Sequence, residues 1–137
     1  MRIVLDTNVL VSAISPISDY YWIYESIFDG KLTLCVSTDI LTEYAEILER
    51  FYGYVVAEAT LTALSYSPFV EQFSPSYFWN MITQDADDNK FVDCAISASA
   101  DYIITLDKHF NVLQNIPFPK VLVLKPNELL IKSEEEK

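Results

Sequence analysis

Two glycines, one histidine and two cysteines occur among the 137 residues, and each scarcity removes a class of function. Two glycines cannot build a phosphate-cradling loop, and neither a G-x-G-x-x-G fingerprint nor a Walker-type loop is present. A lone histidine, His109, argues against a histidine-rich zinc centre and against Ser-His-Asp hydrolysis. Cys35 and Cys94 stand in apolar surroundings without metal or redox spacing, so both are expected as buried, reduced thiols. No apolar run reaches the roughly 18 residues that a spanning helix needs. Asp6 interrupts the opening Ile3-Val4-Leu5 run too soon for a secretory leader, so a cytoplasmic protein without membrane attachment is expected.

Basic side chains are the last shortage. Nine Lys and Arg face twenty Asp and Glu, a formal net charge of −11. Phosphate binding is normally driven by basic residues and the counterions they release, so this balance argues against a nucleic-acid partner. A divalent cation held by acids would invert the local charge and keep such a partner open.

What is present is apolar: 51% of residues are hydrophobic and 14% aromatic, which suits one compact core. No repeat or linker divides the chain, so residues 1–132 are expected to form one domain and 133–137 a charged, disordered tail. Short apolar runs rich in β-branched residues predict strands at 2–5, 32–36, 69–73, 102–106 and 121–124. Asp6-Thr7-Asn8 reads as the turn that bounds the first. Apolar spacings of three and four predict helices over 20–28, from Ser37-Thr38-Asp39 through Phe51, over 55–64, from the acidic stretch 85–89 to near Ala100, and over 127–131. Alternating strands and helices predict an α/β fold, a three-layer α/β/α sandwich around a mostly parallel sheet.

In an open parallel sheet, ligands gather beyond the carboxyl ends of the strands. Asp6 follows Ile3-Val4-Leu5, and Asp107 follows Ile103-Ile104-Thr105-Leu106. The two carboxylates open onto one crevice if those strands are parallel neighbours, although either acid can be a plain turn former. At about 100° per residue, Phe91, Val92, Ala95, Ile96 and Ser99 share one helix face. Asp88 falls at its centre and points inward, whereas Asp93 falls off it, toward solvent or the rim. Acids in a first turn complement the helix dipole, but that does not explain one aligned with the apolar stripe. Glu43 borders the stripe of Ile40, Tyr44 and Ile47, a position equally suited to an ordinary surface residue.

Carboxylates that converge without basic neighbours repel one another unless a cation neutralises them or their pKa values rise. Oxygen ligands without His or Cys select hard ions, Mg2+ or Mn2+. Such an ion activates water for attack on a phosphodiester, chemistry that needs no histidine. Cleavage of single-stranded RNA is the expected activity.

Four stretches, in order along nearly the whole chain, resemble the motifs of PIN-domain proteins. The apolar strand with Asp6, Thr7 and Asn8 resembles their opening, and residues 37–48 with Glu43 their second acidic motif. Asp85-Ala86-Asp87-Asp88-Asn89-Lys90-Phe91 with Ala95 resembles the third, and Ala100-Asp101-Tyr102-Ile103-Ile104-Thr105-Leu106-Asp107 the fourth. The branch it looks like comprises toxin components of toxin–antitoxin systems. The resemblance implies a metal-dependent ribonuclease with Asp6, Glu43, Asp88 and Asp107 as its acidic quartet. It implies Asn8 and Thr105 as polar helpers that orient water or a ligating carboxylate. Within the third motif Asp85, Asp87 or Asp93 stays open as a substitute for Asp88, and Asp93 also as a group in the outer layer around the ligands. A homodimer, and an antitoxin that occludes the site, are further implications.

Two other functions compete. An aspartyl-nucleophile phosphatase would want a second acid two residues after Asp6, where Asn8 stands, and a supporting lysine, for which Lys108 is nearest. A non-catalytic binding module would suit the acidic surface, yet would be free to lose self-repelling carboxylates. The aromatic runs Tyr20-Tyr21-Trp22-Tyr24 and Phe51-Tyr52-Tyr54 could stack on bases. Their helical spacing favours the core or a subunit interface, with 55–73 as the expected dimer contact.

Overall fold

The computed structural model describes residues 1–136. Arg2–Leu5 forms β1, and Ile3, Val4 and Leu5 are all fully buried. Successive strand residues face opposite sides of a sheet, so both faces of β1 are covered. The remaining strands are β2 (Thr33–Val36), β3 (Val70–Gln72), β4 (Tyr102–Ile104) and β5 (Val123–Leu124). They pair in the order β3-β2-β1-β4-β5, every pairing parallel. Helices cover this sheet as the outer layers of an α/β/α sandwich. β2 and β3 are added on one side of β1, β4 and β5 on the other, so the β1–β4 seam is the topological switch point where a crevice opens.

The helices are α1 (Thr7–Ala13), α2 (Tyr21–Phe28), α3 (Thr38–Tyr52), α4 (Tyr54–Tyr66), α5 (Asn89–Ala98) and α6 (Pro126–Glu135). Two 3₁₀ segments, Ala86–Asp88 and Lys108–Asn115, precede α5 and follow β4. Asp6-Thr7-Asn8 is a helix start rather than a turn: the Asp6 carboxylate caps α1 by accepting from the Thr7 N–H. The consecutive apolar residues Val9-Leu10-Val11, all buried, hide the helical period there. Gly53, at φ +87°, lets α4 follow α3 without a loop.

Residues 133–135 are helical, which corrects the expected disordered tail for those positions; Lys137 lies outside the described residues. Glu128 accepts from the Lys125 N–H at 2.9 Å and Leu129 is fully buried, so α6 is anchored at its start while its charged last turns stay in water. Both thiols are buried and free. Burial pushes Cys35 up to about 11 and Cys94 up to about 12, which keeps them protonated near neutrality. Tyr20, Trp22 and Tyr24 pack on the core, whereas Phe51 and Tyr54 at the α3–α4 junction are 67% and 65% exposed. Among the described residues no helix is long and apolar enough to cross a membrane.

Candidate metal centre

Parallel register aligns Leu5 with Ile104, so the residues that follow, Asp6 and Thr105, meet across the seam. The Asp6 N–H donates to the Ile104 carbonyl at 3.0 Å, which fixes the start of the crevice. The Asp6 carboxylate is 8% exposed; Oδ1 accepts from the Thr7 N–H at 2.8 Å and Oδ2 from the Thr105 hydroxyl at 2.7 Å. Burial raises its pKa, these two hydrogen bonds oppose the rise, and the charges of Asp107 and Glu43 add to it. Thr105 Oγ1 also accepts from the Asp107 N–H at 2.9 Å. One buried hydroxyl thus holds the ends of both acidic strand exits.

Asp107 next caps the 3₁₀ segment, its Oδ1 accepting from the His109 N–H at 2.9 Å. That turn brings the His109 ring back over the crevice. His109 Nδ1 lies 3.5 Å from Asp107 Oδ1 and 3.7 Å from Asp88 Oδ2. Asp88 reaches the same place from the tip of α5 and is 8% exposed. Its Oδ2 and His109 Nδ1 are buried without a hydrogen-bond partner. Burial pushes the Asp88 carboxyl up to about 7; Asp85, Asp107 and Asp6 push the same way, and His109 pulls against them. Asp85, Asp88 and His109 each offer a ligand atom within 4.8 Å of the others.

Glu43 arrives from α3. The buried Tyr44 hydroxyl donates to the Leu5 carbonyl at 2.6 Å, pinning that helix over the end of β1. Glu43, the neighbouring residue, then accepts from the Thr7 hydroxyl, and its other oxygen pairs with Lys90 Nζ at 2.9 Å. The chain of contacts therefore runs from Glu43 through Thr7, Asp6, Thr105 and Asp107 to His109 and Asp88. Asn8, on the first turn of α1, is exposed and makes no side-chain hydrogen bond among the described residues.

Two expectations change. Asp93 does not face solvent: it is 5% exposed, and its Oδ1 accepts from the Trp79 N–H at 3.0 Å. The loop between β3 and the first 3₁₀ segment folds across α5, a cover that a wheel drawn for one helix cannot register. Nor are the acids free of nitrogen and of basic neighbours, because His109 faces two of them and Lys90 pairs with a third. The signals for both were local: His109 stands two residues after Asp107, and Lys90 two after Asp88.

Two carboxylates, Asp6 and Asp88, raised by burial and by neighbouring acids, together with a carboxylate oxygen and an imidazole nitrogen left without partners in a buried place, fit a divalent cation. The carboxylates favour a hard ion, and the imidazole nitrogen widens the choice toward transition ions. A parallel α/β/α sandwich with acids gathered at its switch point is the class that fold and site define. The chain belongs to the PIN-domain family, whose match covers residues 2–109.

Similar solved structures include VapBC2 from Rickettsia felis bound to a DNA fragment from their promoter, at 18% identity and a TM-score of 0.64, covering 91% of this chain and 98% of that one. FitAcB from Neisseria gonorrhoeae matches at 18% identity and 0.57, covering 90% and 97%. The PIN domain endonuclease Utp24 matches at 18% identity and 0.52, covering 90% and 84%. At that identity the likeness is one of fold. No curated protein matches the chain by sequence.

Proposed function

We propose that the protein is an Mg2+- or Mn2+-dependent endoribonuclease that cuts single-stranded RNA in the cytoplasm. The observation that carries this reading is the pair of unpartnered buried atoms, Asp88 Oδ2 and His109 Nδ1, in a crevice ringed by Asp6, Asp107 and Asp85. Asp6, Glu43, Asp88 and Asp107 would hold the ion, with Asp85 and His109 as additional donors. A bound divalent ion supplies positive charge at the scissile phosphate and lowers the pKa of an attacking water. Thr105 orients Asp6 and fixes the Asp107 backbone, Thr7 orients Glu43, and Asn8, exposed on the first turn of α1, would serve as a polar helper.

The fold likeness to VapBC2 and FitAcB supports a toxin role with an antitoxin partner. The exposed apolar residues Phe51, Tyr54 and Val55 support a homodimer contact around α4. The test is cleavage of a single-stranded oligoribonucleotide by purified protein with Mg2+ or Mn2+. Activity should vanish in chelator and fall at least 100-fold in Asp6→Asn, the order expected when charge stabilisation at the reacting phosphate is removed. Cutting by wild type and variant at equal rates would point to a contaminant and sink the proposal.

A further inference from the structure

Residues 73–84 carry Tyr77-Phe78-Trp79, aromatics that helical spacing cannot assign to a core. Tyr77 is 62% and Phe78 67% exposed. The loop that holds them is nevertheless tied down. Trp79 N–H donates to Asp93, Ile82 N–H donates to Asn89 Oδ1 at 2.8 Å, and Asn89 Nδ2 donates back to the Ile82 carbonyl at 2.9 Å. Both anchors are buried on α5, within five residues of Asp88. Tyr77 and Trp79 occupy each other, their ring centroids 4.5 Å apart. Phe78 instead lines a cleft of about 540 Å3 together with Asn80, Lys90 and five acids, Asp39, Glu43, Glu46, Asp87 and Asp93.

We infer that Phe78 is a stacking platform for an unpaired base of the strand whose phosphate lies at the acidic crevice. The inference rests on the nuclease reading and deepens it. At a net charge of −11, counterion release cannot supply much affinity. Lys90, the basic residue in this cleft, is already engaged by Glu43 and the Asp87 carbonyl. Base–aromatic stacking needs no positive charge and tolerates any base sequence. It also separates single strands from duplexes, whose bases are already stacked. A ring carried on a backbone that Asp93 and Asn89 hold at Trp79 and Ile82 costs less loop ordering on binding than one on a loose loop.

The experiment is fluorescence anisotropy of a labelled oligoribonucleotide, in chelator and again with Ca2+. Wild type is compared with Phe78→Ala and Phe78→Trp, and the oligonucleotide with an abasic strand of equal length and with its duplex. Phe78→Ala should weaken binding of the base-bearing strand roughly 5- to 150-fold, the range for one stacked base. Phe78→Trp should restore it, and wild type and Phe78→Ala should bind the abasic strand alike. Wild-type affinity should depend only weakly on salt. No loss in Phe78→Ala, an equal loss on both strands, a duplex bound as tightly as the single strand, or no measurable wild-type affinity would overturn the platform; the first would leave a protein partner for the ring. The two readings fail separately. Stacking without cleavage in Mg2+ or Mn2+ removes the nuclease, whereas cleavage with the same KM in wild type and Phe78→Ala removes the platform.

Discussion

Thr105 donates its hydroxyl proton to Asp6 at 2.7 Å across the β1–β4 seam, joining residues 99 positions apart. The same oxygen accepts from the Asp107 N–H, so one side chain sets the spacing of both strand exits. Thr105→Val keeps the shape and deletes both bonds, leaving a buried carboxylate oxygen without a donor. It should lower the stability of the metal-free protein by about 1–3 kcal/mol, whereas Thr105→Ser should stay close to wild type. Urea titration in chelator measures the difference.

Asp88 should behave in the opposite sense. Its folded pKa of about 7 lies above the unfolded value near 4, so the native state holds the extra proton between those limits. This group's contribution is most favourable below about pH 4, declines as pH rises to about 7, and is flat above that. In chelator, Asp88→Asn should match wild type at pH 4 and exceed it at pH 8 by on the order of 1–3 kcal/mol. Thermal melts across that range read the crossover, and equal pH profiles would contradict it.

Asp6→Asn separates the two acids. Repulsion alone would make its loss neutral or stabilising, as for Asp88. The structure adds two hydrogen bonds that Asp6 accepts, one of them capping α1. An amide oxygen replaces only one of the two acceptors, a loss of about 1 kcal/mol that offsets part of the relief from removing a charge whose pKa burial raises. In chelator at pH 8, Asp6→Asn should therefore stabilise the protein less than Asp88→Asn, and melts showing the larger gain for Asp6→Asn would contradict it.

The sequence made Asp6 and Asp107 legible because strand ends are marked by the end of an apolar run. Asp88 was legible because alignment with a helix's buried stripe is a local property. The parallel three-layer sheet followed from the same alternation. Of the two places expected for Asp93, solvent or the rim, it lines the cleft, and its burial there was not legible because it comes from a loop without periodicity that lies across α5. His109 was passed over because a 3₁₀ segment has no 3.6-residue pattern to orient its ring. Lys90 meets Glu43 only through the packing of α5 near α3, which neither helix encodes alone.

Asp93 offers a test of that loop. Its buried carboxylate accepts from the Trp79 N–H, and burial raises its pKa while that hydrogen bond opposes the rise. Asp93→Ala removes the acceptor and should free the aromatic loop while leaving the sheet folded. Proteolytic nicking between residues 74 and 80 should accelerate at least several-fold, with a melting temperature only a few degrees lower. Nicking at the wild-type rate would mean that Asn89 holds the loop without Asp93.

Lys90 pairs with Glu43, a carboxylate that the proposed ion would use. Its ammonium lies 2.9 Å from Glu43, and the side chains are only 16% and 28% exposed, so the pair is shielded better than one on the open surface. In the metal-free protein this ion pair holds one acid of the quartet in a neutralised state. A divalent ion binding through Glu43 must displace that contact and then tolerate the ammonium nearby. Lys90→Met keeps the aliphatic stem that packs beside the Phe91 ring, above which Nζ lies at 5.3 Å, and removes the charge. Two effects with opposite signs should follow. Stability in chelator should fall by about 0.5–1 kcal/mol, the size of a partly shielded pair, because Glu43 loses its counter-charge. Affinity for Mn2+ should rise several-fold, because a competing positive charge is gone. Calorimetric titration with Mn2+ alone, without RNA, reads the second effect independently of any activity. Weaker Mn2+ binding in Lys90→Met would mean that the lysine orients Glu43 for the ion instead of competing with it.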